Sequence, residues 1–417
     1  MADRLRAAGG LVLALALVVF AAAGEGRADE AQSIRLGMTA GFSGATREMA
    51  VELYRGAMAM FEGQNRIGGV AGRPVELLAE DDGYEPDRAI EASMRLLEHD
   101  GVLALFSSLG TPTISRLLPV LRLHDAGAAR LFFPVTGLTA ARRPPYVRYV
   151  YNLRASYRQE IEALIAAFAR QGRTRVAICH QADAFGRSAW DGASQALARR
   201  GRSLCGEATF SRLTTAAADM TAQVRFLAEA RPEAVLVIGP APACAAVIRD
   251  MRRVGLSMPV GVVSFAGGEL LLRELAAQGR HLELDLSQNL LLSEVTPSWR
   301  DPDLPAARDY RRDLARLGRG RPPPGGWIDG LPEGCFVGFE GYLNARAMLA
   351  VLGAMPASPD REALDTAVAA ANGCDIGLSA PLVFSGPRHQ ALDTVYLYTA
   401  SGGRLVPLAG PAPGDGD

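Results

Sequence analysis

The 417-residue chain offers few side chains whose types and spacing would support catalysis. Its histidines are not spaced as zinc ligands are, no HExxH motif occurs, and no GxSxG motif marks a nucleophilic serine. Lysine is absent, which excludes a P-loop lysine and a Schiff-base lysine. We therefore predict a protein that is not an enzyme and that uses no metal or cofactor. The five histidines are His99, His124, His180, His281 and His389.

Two features lie at strand ends, where α/β proteins usually bind ligands. His180 ends a predicted strand, and we expect a satisfied or surface histidine there. Glu80, Asp81 and Asp82 follow another predicted strand. Paired carboxylates could serve acid–base chemistry or hold a cation, but a solvated turn is the expected interpretation. The loop at 41–44 follows the first strand, yet its spacing is not the GxGxxG of a dinucleotide site.

Short loops rich in glycine and hydroxyl residues follow several predicted strands. Such loops expose backbone N–H groups at helix N-termini, and these donors suit a carboxylate or a similar oxygen. Helices expected to begin at Arg47 and Thr113 would point their positive ends into one crevice. This arrangement would bind a ligand without breaking bonds in it. The loops are residues 42–46, 109–113, 135–139 and 239–241.

Apolar runs alternate with amphipathic stretches, and the pattern restarts after residues 146–154. The predicted fold class is α/β, with two doubly wound parallel-sheet lobes joined by a multi-crossover hinge. In the first half we predict strands at 34–39, 75–79, 102–106 and 131–134, and helices at 47–64, 86–99 and 113–123. In the second we predict strands at 175–179, 203–209, 234–238 and 260–263, and helices at 157–170, 186–200, 220–230 and 243–254.

Beyond residue 290 the pattern is less regular because prolines interrupt the chain. Residues 319–326 carry three consecutive prolines and are expected to be an exposed linker. Later elements indicate a return to the first lobe and another crossing, and several crossings favour rigid-body opening and closing. These elements are helices at 338–352 and 361–371 and short strands at 383–384 and 394–398. We assign residues 29–150 with 296–375 to the first lobe, and 151–295 with 376–408 to the second.

The N-terminus is typical of an export signal. Arg4 and Arg6 precede an uncharged apolar run and small residues that a peptidase could cut. Residues 1–28 are therefore predicted to be a cleavable signal peptide, and the mature protein to be periplasmic. The whole chain has a net charge of -1 and no basic run, which argues against nucleic acid or anionic membranes as partners. We expect a monomer with a flexible tail at 409–417.

The five cysteines contain no CxxC pair, so zinc and redox motifs lack support. An oxidising compartment permits a disulfide, and Cys335 with Cys374 is the candidate pair. Whether these two form a bond stays open at this point. Cys179 and Cys205 fall on predicted strands and suit buried thiols equally well.

Several segments carry a resemblance in a fixed order along the chain. The first strand leads into GFSG, then GAMAMF, and then GGVAGR ahead of AEDD. FSSLGTPT, FFPVTG, NLRASY, HQADAFGRSAWDG and GFEGYLNARAM follow. Together they resemble the periplasmic binding proteins of the leucine/isoleucine/valine-binding family. The resemblance implies a type I periplasmic binding protein fold with three crossovers. It also implies delivery of a small-molecule ligand to an ABC permease in the inner membrane.

The resemblance further implies a set of ligand-binding positions. Gly110 and Thr111 match a first-lobe loop that holds the ligand carboxylate, and Thr136 and Gly137 match a second such loop. Aromatic residues of the second lobe match positions that close over the ligand. The full predicted set is Phe42, Ser43, Gly110, Thr111, Thr136, Gly137, Tyr157, Phe185, Pro240 and Phe265.

This chain departs from the family where amino acid binders hold the ligand's ammonium group. Phe265 stands where they carry an acid, and Pro240 or Ala241 stands where they carry a tyrosine. A buried ammonium without an acceptor is strongly disfavoured. We therefore predict a ligand with a carboxylate or other oxygen-rich end and an apolar or aromatic body. Alternatively, Phe265 is core and an acid such as Glu340 serves a branched-chain amino acid, or the protein signals to a membrane receptor.

Overall fold

The computed structural model describes residues 33–408, apart from 125–126, 319, 357–358 and 385–388. The expected signal peptide at 1–28 and the expected tail at 409–417 lie outside the described residues. Within the described part, no helix has the length and apolar character needed to cross a membrane.

Five parallel strands form the first sheet: β1 (Ile34–Ala40), β2 (Val75–Asp81), β3 (Ala104–Phe106), β4 (Leu131–Phe132) and β5 (Val150–Tyr151). Their spatial order is β2-β1-β3-β4-β5. The strands β3, β4 and β5 are buried along their whole length, as expected for a parallel sheet with helices on both faces.

The second sheet comprises β6 (Val176–Gln181), β7 (Gly206–Phe210), β8 (Ala234–Ile238), β9 (Val260–Val262), β10 (Leu290–Glu294), β11 (Tyr396–Ser401) and β12 (Arg404–Pro407). The order is β12-β11-β10-β9-β8-β6-β7. The strands from β6 to β10 run parallel, whereas β11 and β12 pair antiparallel at one edge. All residues of β6, β8, β9 and β10 are buried, so the parallel part of this sheet forms the core of the lobe.

Helices connect the strands in both lobes. The first lobe has α1 (Arg47–Arg66), α2 (Pro86–Glu98) and α3 (Thr111–Leu123) between its strands. The second has α4 (Tyr157–Arg170), α5 (Ala184–Ala198), α6 (Thr221–Glu229), α7 (Ala241–Arg253) and α8 (Gly268–Leu282). Three further helices follow β10, namely α9 (Pro305–Leu317), α10 (Phe336–Gly353) and α11 (Leu364–Ala371).

The chain returns to the first lobe after β10, because α9 and α10 pack against α1. Glycines make the close contact between α1 and α10 possible. A Cβ atom on Gly56 would lie 1.8 Å from the carbonyl oxygen of Gly338, and one on Gly341 would lie 2.1 Å from that of Leu53. After α11 the chain crosses again to supply β11 and β12. With the first crossing after β5, three crossings join the two lobes.

The predicted fold class is confirmed: two parallel-sheet lobes are joined by several crossings. The sequence prediction missed five elements, which are β5, α8, β10, α9 and β12. It was wrong to place a strand at 383–384, where the chain has no regular secondary structure. Pro305 is not a breaker but the first residue of α9, where its missing N–H leaves no hydrogen bond unmade.

The candidate disulfide between Cys335 and Cys374 does not form, since both thiols are free. Cys335 caps α10, and its sulfur accepts from the Gly338 amide at 3.3 Å and contacts the Glu52 carboxylate at 3.4 Å. Cys374 follows α11, so two helices separate the pair along the chain. The Cys335 thiol is thus engaged at a helix terminus instead.

Candidate functional site

Hydroxyl groups from the two lobes meet between the sheets. Thr111 begins α3, and its Oγ1 lies 2.8 Å from Oγ1 of Thr136, in the loop after β4. The same Thr111 oxygen lies 3.1 Å from the hydroxyl of Tyr157, which begins α4 in the second lobe. Burial raises the pKa of Tyr157 to about 12, so this phenol keeps its proton at neutral pH. The three hydroxyls form one polar cluster that bridges the lobes.

Local sequence explains why Tyr157 and Phe185 face the other lobe. Ser156 accepts a hydrogen bond from the Gln159 amide and forms a capping box with it, which fixes the start of α4. Asp183 caps α5 by accepting from the Phe185 amide at 2.9 Å. Both aromatic residues therefore lie in first helical turns, where the helices begin near the other lobe.

Aromatic rings continue the cluster from Tyr157 toward the mouth of the crevice. The centroids of Tyr157 and Phe185 are 4.9 Å apart, and those of Phe185 and Phe265 are 4.7 Å apart. Phe265 lies in a short turn after β9 and stacks on Tyr84 of the first lobe at 6.1 Å. All four side chains are buried. The crevice between the lobes is therefore apolar at its centre.

Tyr84 lies in the middle of this arrangement, and sequence reasoning missed it. It follows the acidic triplet at the end of β2, and its hydroxyl accepts a hydrogen bond from Nε2 of Gln181 on β6 at 3.2 Å. Its ring covers Gly110, since a Cβ atom there would lie 2.8 Å from Tyr84 Cε2. Position 137 also requires a glycine, because a Cβ atom there would lie 2.3 Å from the Tyr157 backbone nitrogen. The signal available in the sequence was an aromatic residue three positions beyond the end of β2.

The acidic triplet is not the solvated turn expected from the sequence. Asp82 is fully buried and accepts from the Tyr84 amide at 2.7 Å, so it positions the Tyr84 backbone. Burial raises the pKa of Asp82 to about 7. Asp81 is half-buried and accepts from the amides of Ser43 and Gly83. The expectation was wrong because a strand end that faces a second lobe is not a surface.

A pocket of about 280 Å³ opens beside the aromatic cluster. Its first-lobe wall is the start of α1, and its second-lobe wall includes Pro240, which caps α7, and Phe265. The rest of the lining is mostly apolar, but it also carries one positive and two negative side chains: Arg47, Glu48 and Glu274. Two of the predicted site residues thus meet at one opening between the lobes.

A model of the family described as periplasmic binding protein matches residues 33–404. This chain belongs to the periplasmic binding protein family. The match covers both sheets and the hinge, so it includes each side of the crevice. The family is one of binding proteins, in agreement with a crevice of hydroxyl and aromatic side chains.

Individual relatives support this membership. A possible leucine/isoleucine/valine-binding protein from Rhodopirellula baltica is 27% identical, with a TM-score of 0.80 over 92% of this chain and 98% of that chain. An amino acid binding protein of Pseudomonas aeruginosa is 24% identical over 228 residues, which are 53% of this chain and only 58% of that protein. A fatty acid ABC transporter substrate-binding protein from Thermomonospora curvata shares the fold, at 21% identity and a TM-score of 0.74 over 90% of this chain and 92% of that chain.

The remaining predicted residues of this periplasmic binding protein lie at the edge of the cluster or behind it. Phe42 is buried in the first lobe, with its ring edge-on to Tyr54 at 6.0 Å. Ser43 is half-buried and lies in the loop that leads into the pocket. Three loop amides expected to face a ligand are used within the protein: those of Ser43, Gly110 and Thr136 donate to Asp81, Val135 and Pro134. The side-chain hydroxyls of Thr111, Thr136 and Tyr157 are buried where the two lobes meet.

Glu340, the alternative acid, belongs to a buried ion cluster at the hinge. Arg154 lies on the first crossing and contacts carboxylate oxygens of Glu160 in α4 and Glu340 in α10, each at 3.3 Å. It also donates to Ser264. Burial raises the pKa of Glu340, while Arg154 opposes that shift. Because the Glu340 carboxylate already has a cationic partner, it is not a free acceptor for an ammonium group.

Two surface ion pairs join the lobes on either side of the crevice. Arg212, after β7, lies 2.7 Å from Glu85 at the start of α2, and 3.7 Å from Asp183. Arg273 on α8 lies 2.5 Å from Glu48 on α1. Both arginines come from the second lobe and both glutamates from the first.

His180 is largely buried, with Nδ1 3.0 Å from the Gln181 carbonyl oxygen and Nε2 3.4 Å from Glu207. Among the described residues, no group of three or more His, Cys, Asp or Glu is arranged to hold a metal ion. A larger groove of about 1060 Å³ lies outside the crevice, along α8 and the β11–β12 turn. None of the ten predicted site residues lines this groove.

Proposed function

We propose that this periplasmic binding protein captures a small organic acid between its lobes and delivers it to an ABC importer. The observation that carries the proposal is the cluster at Thr111, Thr136 and Tyr157, next to the rings of Phe185 and Phe265. Hydroxyl groups at one end suit a carboxylate, and the rings suit an apolar or aromatic body. The ten predicted residues stand as the proposed binding set.

The positions that would have to hold an ammonium group disfavour an α-amino acid. Phe265 occupies the position where the family's amino acid binders carry an acid, and Glu340 is paired with Arg154. Asp183 already accepts from Gln181 and contacts Arg212. An ammonium group would thus find no unpaired carboxylate at these positions, which costs on the order of 1–3 kcal/mol or more.

The likeness to a fatty acid transporter's binding protein supports the same ligand class, because that protein's named cargo is an apolar carboxylate. The likeness to amino acid binders supports the alternative, a branched-chain amino acid. We take the mature chain to start after residue 28 and to work as a periplasmic monomer. Its lobes are residues 29–150 with 296–375 and residues 151–295 with 376–408.

Calorimetric titration of the purified mature chain tests the ligand class. The panel is phenylacetate, octanoate, leucine and valine, at matched pH and salt. We expect one of the two acids without an ammonium group to bind at least about tenfold tighter than leucine, a difference of roughly 1.4 kcal/mol. Tighter binding of leucine or valine than of both other acids would contradict the proposal and favour the amino acid alternative.

Uptake separates transport from the second alternative, sensing for a membrane receptor. A strain that lacks this gene should lose accumulation of the radiolabelled acid, and the mature chain with its own signal should restore it. Normal accumulation together with a lost transcriptional response to the acid would point to sensing.

A further inference from the structure

The side chain of Tyr84 lies where the apolar body of a ligand would lie. Its ring packs between Gly110, in the proposed carboxylate loop, and Phe265 in the opposite lobe. Its hydroxyl reaches the second lobe and accepts from Gln181 at 3.2 Å. A first-lobe side chain thus spans the crevice from the polar cluster to β6.

Gln181 has hydrogen-bonding capacity that the protein does not use. Its Nε2 donates to the Tyr84 hydroxyl and, at 2.6 Å, to Oδ2 of Asp183. Its Oε1 is buried and has no hydrogen-bond partner among the described residues. A buried acceptor without a donor is costly, so an O–H or N–H group that reached it would be favoured.

The walls around the Tyr84 ring have the chemistry that selects an aromatic group. Phe265 stacks on the Tyr84 ring, and the ring centroid of Phe185 lies 4.7 Å from that of Phe265. All three rings are buried, so a ligand ring that replaced Tyr84 would be fully desolvated. Its far end would then face Gln181, and its near end Gly110 and Thr111.

We propose that Tyr84 is a plug that a ligand ring displaces, and that Gln181 selects ligands whose ring carries a hydroxyl group. The inference rests on the proposed capture of an acid between the lobes and narrows that class to ring-hydroxylated aromatic carboxylates. The ligand carboxylate contacts Thr111 and Thr136, the ring packs on Phe265 and Phe185, and the hydroxyl donates to Gln181 Oε1.

The backbone around Tyr84 fits a plug that can leave. Tyr84 has φ +63° and the preceding Gly83 has φ +59°, so two consecutive residues adopt left-handed conformations. That conformation is unfavourable for tyrosine by roughly 1–2 kcal/mol, and the Asp82 side chain holds it. When a ligand displaces the Tyr84 ring, the turn can relax, and the space that the ring filled becomes available to the ligand.

The test compares 4-hydroxyphenylacetate with phenylacetate by calorimetry on the full mature chain. The unchanged protein should bind the hydroxylated acid at least about tenfold tighter, the effect of one buried hydrogen bond to an otherwise unpaired acceptor. Gln181→Leu should reduce this ratio to below about threefold. Gln171→Leu, an exposed position after α4, is the matched control and should keep the tenfold ratio.

Tyr84→Ala should tighten binding of both acids, by about tenfold or more, because the ligand no longer competes with the plug. If that variant does not fold, the Gln181→Leu ratio still decides the inference. A ratio near one in the unchanged protein, equal ratios in the Gln181 and Gln171 variants, or weaker binding by folded Tyr84→Ala would overturn it. Tight binding of octanoate, together with no binding of phenylacetate or 4-hydroxyphenylacetate, would overturn this inference while leaving the proposed function intact.

Discussion

Individual side chains set both the ligand chemistry and the pH response of the crevice. Thr111 is buried, begins a helix, and lies within hydrogen-bonding distance of two other hydroxyls. Asp82 is equally buried, but one of its carboxylate oxygens has no hydrogen-bond partner in the part of the chain that the structure describes. The first residue should therefore matter for binding, and the second for stability.

Replacing Thr111 with valine keeps the side-chain shape and removes the hydroxyl. We expect the affinity for the acid that binds best to fall about tenfold to a hundredfold, because a hydrogen bond to a charged group is worth roughly 1.5–3 kcal/mol. Calorimetry measures the change. Thr221→Val at the exposed start of α6 is the control, and an equal loss in both variants would contradict a role for Thr111 in binding.

Asp82 should make the protein less stable as the pH rises. Its pKa is raised from 3.8 to about 7 by burial, so the folded state favours the protonated carboxyl. The stability that this preference contributes is full below pH 3.8 and is lost as the pH rises through about 7. The pKa difference corresponds to at most roughly 4 kcal/mol.

Chemical denaturation of the unchanged protein and Asp82→Asn at pH 5 and pH 8 measures this effect. The unchanged protein should lose more stability over that interval than the variant. Burial also raises the pKa of Glu294. Glu294 is present in both proteins, so it contributes equally to the pH dependence of their stability. A slope that Asp82→Asn leaves unaltered would show that Asp82 does not titrate in this range.

Among the elements, those with clear periodicity were predictable and those that depend on the other lobe were not. The strand β8 and the helix α4 occur at the predicted bounds, because a run of buried apolar residues and a capping box mark them in the sequence. The strand β5 has only two residues, too few to show a pattern. β10 was missed because its apolar run is short and prolines follow it.

The candidate site shows the same division. Thr111, Thr136, Tyr157, Phe185 and Phe265 were expected from motifs, and the structure brings them together. Tyr84 and Gln181 were not expected, because their roles depend on a contact between residues 97 positions apart across two lobes. No periodicity within either segment reports that contact.

The α1–α10 contact gives a prediction at the level of elements. Gly56→Ala should destabilise the protein by about 2 kcal/mol or more, since its Cβ would lie 1.8 Å from the Gly338 oxygen and the helices would have to separate. Gly63→Ala in the same helix meets nothing closer than 3.8 Å and should stabilise by roughly 0.5–1 kcal/mol. Urea unfolding compares the two, and shifts of equal sign would contradict the assigned packing.

For the whole molecule, the balance between open and closed lobes should depend on the pairs Arg212–Glu85 and Arg273–Glu48. Each exposed pair contributes about 0–1 kcal/mol, so both together can shift the equilibrium several-fold. The double variant Arg212→Gln, Arg273→Gln should therefore show a larger radius of gyration by small-angle X-ray scattering.

Arg312→Gln is the control for lost positive charge, because Arg312 pairs with Asp309 and Asp313 inside the first lobe. It should leave the radius of gyration unchanged. If neither 0.5 M salt nor the double substitution changed the radius of gyration, the two ion pairs would not hold the lobes together.

The central claim is that the crevice, and not another cavity, binds the ligand. A crystal structure of the mature chain grown with the tightest-binding acid tests it most directly. We predict density between Thr111 and Phe265, with the carboxylate within hydrogen-bonding distance of the Thr111 and Thr136 hydroxyls. Density in the groove along α8 and the β11–β12 turn, with the crevice side chains in place, would contradict the account.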